Sequence, residues 1–232
     1  MIKKNFFYAF AFAFTFLFLE KTKAQSILDI SVGTSHQDKF FGNLAYRYQI
    51  NEKLRIGFES QFASPKYRFI DAKVIKTGYV ATTSIPLTVR LYQKQQIRLD
   101  LYTRVGARFL GVIDPDGNDK PDSVLNATAF VFESGLLITV QLNDGLNFQS
   151  GFTFPVFYQI QPSGLLENVY VPIVHLGLNQ KIGSKNVLFI KTAFGAAVGG
   201  DGDTQKFGKT IQAGIRFNLG SKKNPTFVEP SF

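Results

Sequence analysis

Charged side chains recur at alternate positions along Ile97–Val112, IRLDLYTRVGARFLGV. Arg98, Asp100, Arg104 and Arg108 share one parity with Tyr102 and Gly106. The other parity (Ile97, Leu99, Leu101, Thr103, Val105, Ala107, Phe109, Gly111) carries no charge. The same reading places Arg47, Arg55, Lys76, Arg90, Lys181, Lys191 and Arg216 on polar parities elsewhere, with Asp29, Glu59 and Glu133 against them. Guanidinium groups bind carboxylates and small anions through paired N–H donors. Two chemistries follow for such a set. The pairs can fill the space they face, or their excess positive potential can draw anions along it.

Other side chains offer different chemistry. Asp114-Pro115-Asp116-Gly117-Asn118-Asp119-Lys120-Pro121-Asp122-Ser123 sets acidic oxygens around a glycine turn, a donor set that suits calcium. The run is similar to the D-x-D-G-x-G-x-P-D-S pattern of thrombospondin type 3 calcium repeats, with Asp114, Asp116, Asn118 and Asp122 at ligand-type positions and Asp119 in place of the second glycine. Calcium in the 114–122 loop is therefore the one cofactor the sequence suggests. The chain has two histidines. His36 stands near Asp38, and His175 lies on a polar parity. Neither belongs to a spaced Ser/His set, so the expectation is no enzyme, with a hydrolase as the weaker alternative.

The elements that position these residues are strands. A period of two is the signature of a strand with one face in an apolar medium and the other in a polar one. Ten segments carry it: about 28–34, 43–50, 54–62, 75–91, 97–112, 128–142, 146–160, 173–182, 187–198 and 210–219. Short turns near 51–53, 93–96, 143–145 and 183–186 alternate with longer links near 35–41, 64–73, 113–127, 161–172 and 199–209. Asn143-Asp144-Gly145 has the residues of a tight hairpin. Alternating short and long connections are the layout of a transmembrane barrel.

Alternation alone leaves the inside undecided, since a soluble barrel alternates with its apolar face inward. Glycine position decides it. Gly33, Gly57, Gly78, Gly106, Gly135, Gly151, Gly177, Gly195 and Gly214 fall on nine strands, all on the polar parity. Side chains converge on the concave wall of a closed barrel, where small residues make room for large neighbours. The polar face is then inside and the apolar face meets lipid. Within the strand limits above, no Lys, Arg, Asp or Glu occupies the apolar parity. Tyr46, Tyr48, Phe148 and Phe217 near the short turns, and Phe62, Phe109, Phe130, Phe154 and Tyr158 near the long links, read as interfacial girdles.

Targeting agrees. Lys3 and Lys4 precede the apolar run Phe6–Leu19, and Thr22 and Ala24 suit a cleavage site after Ala24. Residues 1–24 read as a secretory signal peptide, too short in its apolar run for a spanning helix. Cleavage lowers the net charge from +9 to about +6. The basic residues are spread singly through strands, and together with export this argues against nucleic acid. The chain has no cysteine, so disulfides and a lipidated cysteine are excluded.

The signal ending KTKAQ, the alternating strands and the last strand TIQAGIRFNL resemble the small outer-membrane β-barrel proteins of Gram-negative bacteria. The resemblance implies an all-β, antiparallel up-and-down barrel of about ten strands, with eight or twelve as alternatives, over 25–219. A polar tail, 220–232, follows. It implies the outer membrane as location, both termini in the periplasm, and lipid and the barrel-assembly machinery as partners. The expected lumen network is Arg47, Arg55, Glu59, Arg90, Arg98, Asp100, Arg104, Arg108, Glu133, Lys191 and Arg216. Turn positions suggest Arg90 opposite Arg98, Glu133 level with Gly106, and Glu59 diagonal to Arg47. Three functions remain open: a plugged barrel with a structural or surface-interaction role through its long loops, a narrow anion-preferring pore, and an enzyme. An extracellular ligand or a small anion is the further partner these readings admit.

Overall fold

In a computed structural model, residues 25–35, 38–68, 75–113, 127–161, 169–170, 173–198 and 205–220 are described. The strands are β1 (Ser26–Ser35), β2 (Asp38–Gln49), β3 (Leu54–Arg68), β4 (Ile75–Lys94), β5 (Ile97–Ile113), β6 (Ala127–Gln141), β7 (Leu146–Gln161), β8 (Val169–Tyr170), β9 (Ile173–Ile182), β10 (Asn186–Val198) and β11 (Gln205–Asn218). The short β8 pairs with β7 and β10, as β9 does below it. The two therefore form one stave, and the sheet has ten. Each stave is antiparallel to the next, and β11 returns to β1 through Ile30↔Ile215 and Asp29↔Arg216. Among the described residues closure leaves no edge strand unpaired, which a sheet in hydrocarbon requires.

The faces divide as the glycines require. Ile30, Ile85, Phe132, Phe152, Leu188 and Ile190 are exposed on the outer surface. Asp29, Arg47, Glu59, Arg98, Asp100 and Arg216 are buried inside. Phe62, Phe109, Phe130, Phe154 and Tyr158 face outward toward the long-link end, with Phe130 directly opposite Tyr158. At the other end the Tyr46 hydroxyl donates to Ser26 Oγ at 3.0 Å. The β11 strand begins earlier than its sequence pattern suggests, so the exposed Lys209 sits on the outer parity, opposite Phe194.

The inward glycines make room for bulk. A Cβ on Gly33 would meet the inward ring of Phe41 at 2.5 Å, and one on Gly214 would meet Phe189 at 2.6 Å. At Gly106, Gly135 and Gly151 it would strike the backbone of the neighbouring strand, so the wall itself bends too closely there for a side chain.

Two registers differ from the sequence expectation. The β4–β5 turn is the tighter pair Gln95–Gln96, with Gln95 at φ 48°, and Lys94 opposite Ile97. A register shift between Arg90 and Tyr92 follows. Together they set Arg90 opposite Asp100, and Arg98 opposite Gln93. Between β5 and β6, Glu133 lies opposite Arg104, and Gly106 faces Val131. This second offset is two residues. An even slip leaves every side chain on its own face, so the alternation carries no information about it.

Candidate functional site in the barrel lumen

The lumen is built in levels. Nearest the short turns stand Asp29, Arg47, Arg55, Arg90, Arg98, Asp100 and Arg216. Asp29 on β1 accepts from Arg216 Nε at 2.6 Å and Nη2 at 2.7 Å, across the β1–β11 seam. On its other side Arg47 Nη1 of β2 donates to it at 2.5 Å. One carboxylate thus ties three consecutive staves where the first and last strands meet. The Arg216 guanidinium carbon also lies 6.0 Å from the Phe189 ring centroid, within cation–π range. Arg98 Nε donates to Asp100 Oδ1 at 2.9 Å within β5. Arg55 has Arg98, Arg90, Asp100 and Arg216 among its charged neighbours.

The middle level holds Glu59, Arg104, Glu133 and Lys191. Arg104 Nε lies 2.5 Å from Glu133 Oε2 on the adjacent strand, and Arg104 Nη1 is 3.8 Å from Glu59 Oε1, two strands away in the other direction. Asn43 Nδ2 donates to Glu59 at 3.0 Å. Lys191 has Glu59 and Asp29 among its charged neighbours. Arg108 stands one level further out, opposite Thr82 and Ala129. Glu59 is diagonal to Arg47, since Ala45 faces Glu59 and Arg47 faces Gly57.

Every predicted lumen residue from Arg47 to Arg216 therefore sits on the inner wall. Asp29 binds the network together from a position the sequence marks only by parity. Sequence reasoning missed the hydrogen bond of 2.9 Å between Thr153 Oγ1 and His175 Nε2, on paired strands. Their shared polar parity was the available signal. Asp114, Asp116, Asn118, Asp122 and His36 lie outside the described residues, as do the segments 1–24 and 221–232. Among the described residues no group of three or more His, Cys, Asp or Glu is placed to hold a metal ion.

Apolar side chains on the convex surface, charged pairs on the concave one and a sheet closed on itself decide the architecture. The chain has the fold of the outer-membrane β-barrels. No protein-family model matches it, and no curated protein matches it by sequence. Among solved structures it is similar to the translocator domain of the autotransporter NalP from Neisseria meningitidis, at 12% identity over 88% of this chain and 91% of that one, TM-score 0.50. It is also similar to the NanC porin, at 11% over 83% and 100%, TM-score 0.49. Neisserial surface protein A matches at 10% over 85% and 98%, TM-score 0.43. At such identities the likeness is one of fold, and a barrel fold does not fix a function.

Several polar and charged side chains of the lumen are almost wholly buried. Arg98 is 1% exposed, and Arg216, Asp100, Thr153 and Asn179 are 0% exposed. Large apolar residues share this interior: Ile27, Leu137, Val131 and Phe189 are buried on the inward parity.

Proposed function

We propose that this chain is an integral outer-membrane protein whose lumen is sealed by its own ionic network, and that it acts through its long loops in a structural or surface-interaction role. Both termini face the periplasm, because an even number of staves returns the chain to the short-turn end where it began. Lipid surrounds the outer belt, and the barrel-assembly machinery inserts it. The observation that carries this reading is the near-zero exposure of Arg98, Asp100 and Arg216, side chains that reach into the space a solute would cross. Planar-bilayer recording tests it. The refolded protein is expected to give no stable conductance steps, and regular ohmic steps from the unaltered chain would refute it.

A second reading, a narrow anion-preferring path, draws support from charge. Among the described lumen residues, Arg47, Arg55, Arg90, Arg98, Arg104, Arg108, Lys191 and Arg216 stand against Asp29, Glu59, Asp100 and Glu133. If steps are seen, their reversal potential in a salt gradient identifies this alternative by its sign. For an enzyme, His175 is poorly placed. Its ring contacts Thr153 inside the closed lumen, away from any macromolecular substrate.

A further inference from the structure

One inward-facing cation has no carboxylate of its own. Lys191 lies on β10, directly opposite Gln212 on β11 and Gly177 on β9. Among the described residues its ammonium makes no hydrogen bond and no ion pair. Glu59 and Asp29 are among its charged neighbours, but both are engaged elsewhere. Asp29 is held by Arg47 and Arg216, and Glu59 accepts from Asn43 and lies near Arg104. An ammonium inside a protein is stable where water or an anion of its own reaches it.

The wall beside Lys191 is hollowed. Across β9, β10 and β11 the inner face runs in three rows: Gly177–Lys191–Gln212, then His175–Ala193–Thr210, then Ile173–Gly195–Gly208. Glycine or alanine fills four of those nine places. A Cβ added at Gly208 would meet only Gly195 O, at 3.8 Å, and one at Gly177 nothing nearer than 3.4 Å. The inward glycines Gly135 and Gly151 differ, since a Cβ there would strike backbone at 2.0 and 2.4 Å. Water reaches the hollow. Lys191, His175, Ala193, Gly195 and Ile173 are part-exposed and Gly208 is exposed, whereas Gly177, Gln212 and Asn179 are buried. Exposure thus rises toward the long-link end. The His175 ring is drawn toward Thr153 of β7, on the far side of β9 from Lys191.

We propose that this hollow binds a small organic carboxylate, its oxygens on the Lys191 ammonium and its apolar body against Ala193, Gly195, Gly208 and Ile173. The ammonium supplies charge-assisted donors. Beyond it the wall is small and largely apolar over the four residues from Lys191 to Gly195, roughly 13 Å along the strand, which favours a carboxylate with a short hydrocarbon body over an inorganic oxyanion. The described lumen already holds more cations than carboxylates, so the bound anion lowers an existing excess. The inference goes beyond the proposed structural role and does not depend on the seal, since a hollow in the wall of an open lumen would bind as well.

Isothermal titration of the full mature barrel, refolded in a neutral detergent, tests the site. Sodium butyrate is the titrant, run at two temperatures so that a vanishing enthalpy at one is not read as no binding. Butyramide and sodium phosphate at equal ionic strength are the comparisons. Saturable binding of butyrate is expected, with butyramide and phosphate each at least about tenfold weaker, the loss of one charge-assisted contact or of the apolar one. Lys191→Met keeps the stem and removes the charge, and should weaken butyrate by about tenfold or more. Gly208→Leu keeps the charge and fills the hollow, and should weaken it to a similar extent. Lys185→Met makes the same charge change in the exposed turn before β10 and should leave affinity unchanged. Absence of saturable heat at both temperatures overturns the proposal, as does equal binding of butyramide or phosphate. Binding that either Lys191→Met or Gly208→Leu leaves intact overturns it too. Should Lys191→Met not fold, the selectivity of the unaltered barrel and Gly208→Leu decide. Conductance steps from the unaltered barrel would remove the sealed lumen and leave this site standing.

Discussion

Asp29→Asn is the sharpest perturbation of this barrel, because one carboxylate holds its closing seam. The group accepts Arg216 Nε at 2.6 Å, Arg216 Nη2 at 2.7 Å and Arg47 Nη1 at 2.5 Å. A hydrogen bond to a charged partner contributes about 1.5–3 kcal/mol. Asparagine keeps one acceptor oxygen and loses the charge, so roughly two of the three contacts go, about 3–6 kcal/mol. Breaking one member of a buried ion pair costs about 3–5 kcal/mol, which agrees. The chain has no tryptophan, so urea unfolding in phospholipid vesicles is best followed by far-ultraviolet circular dichroism. With a slope of about 3 kcal/mol per molar urea, the midpoint should fall by about 1–2 M. Adding Arg216→Met to Asp29→Asn removes one of the stranded guanidinium groups and should recover part of the loss, since an apolar replacement for a buried pair is often neutral. The reasoning fails if Asp29→Asn leaves the midpoint unmoved, or if the double variant is less stable than the single one.

Three further outcomes follow from the walls of the barrel. Gly135→Ala would drive a Cβ into the Phe152 and Thr153 backbone, whereas the nearest atom at Gly177 is Ile190 O at 3.4 Å. The first should cost at least about 2 kcal/mol and the second under about 1 kcal/mol, read from the same urea titration. Ile190→Arg puts a charge on the outer face near mid-height of β10 and should cost about 2–4 kcal/mol in vesicles; a neutral result would contradict contact with hydrocarbon. Arg104→Ala removes the cation that lies between the buried Glu133 and Glu59, and should cost about 3–5 kcal/mol in the same urea titration.

The alternation of residue types was enough to specify strands, a count near ten, and which residues share a face. A period of two is a local property, and ten stretches of the chain carry it independently. The inward side was legible because the glycines share the polar parity, and Gly33 beside Phe41 and Gly214 beside Phe189 show why they must. Which residues meet was a different matter. Arg90 came to rest opposite Asp100 because a two-residue turn and a shifted register near Leu91 replaced the wider turn suggested by Gln93–Gln96. Glu133 met Arg104 because an even slip between β5 and β6 changes partners without changing faces. Asp29 and Arg216 lie 187 residues apart, and only closure of the sheet makes them neighbours. Sequence therefore determined the composition of each surface, since that depends on parity alone. Tertiary structure decided the pairing within the lumen, since pairing depends on turn geometry, register and the meeting of the two ends.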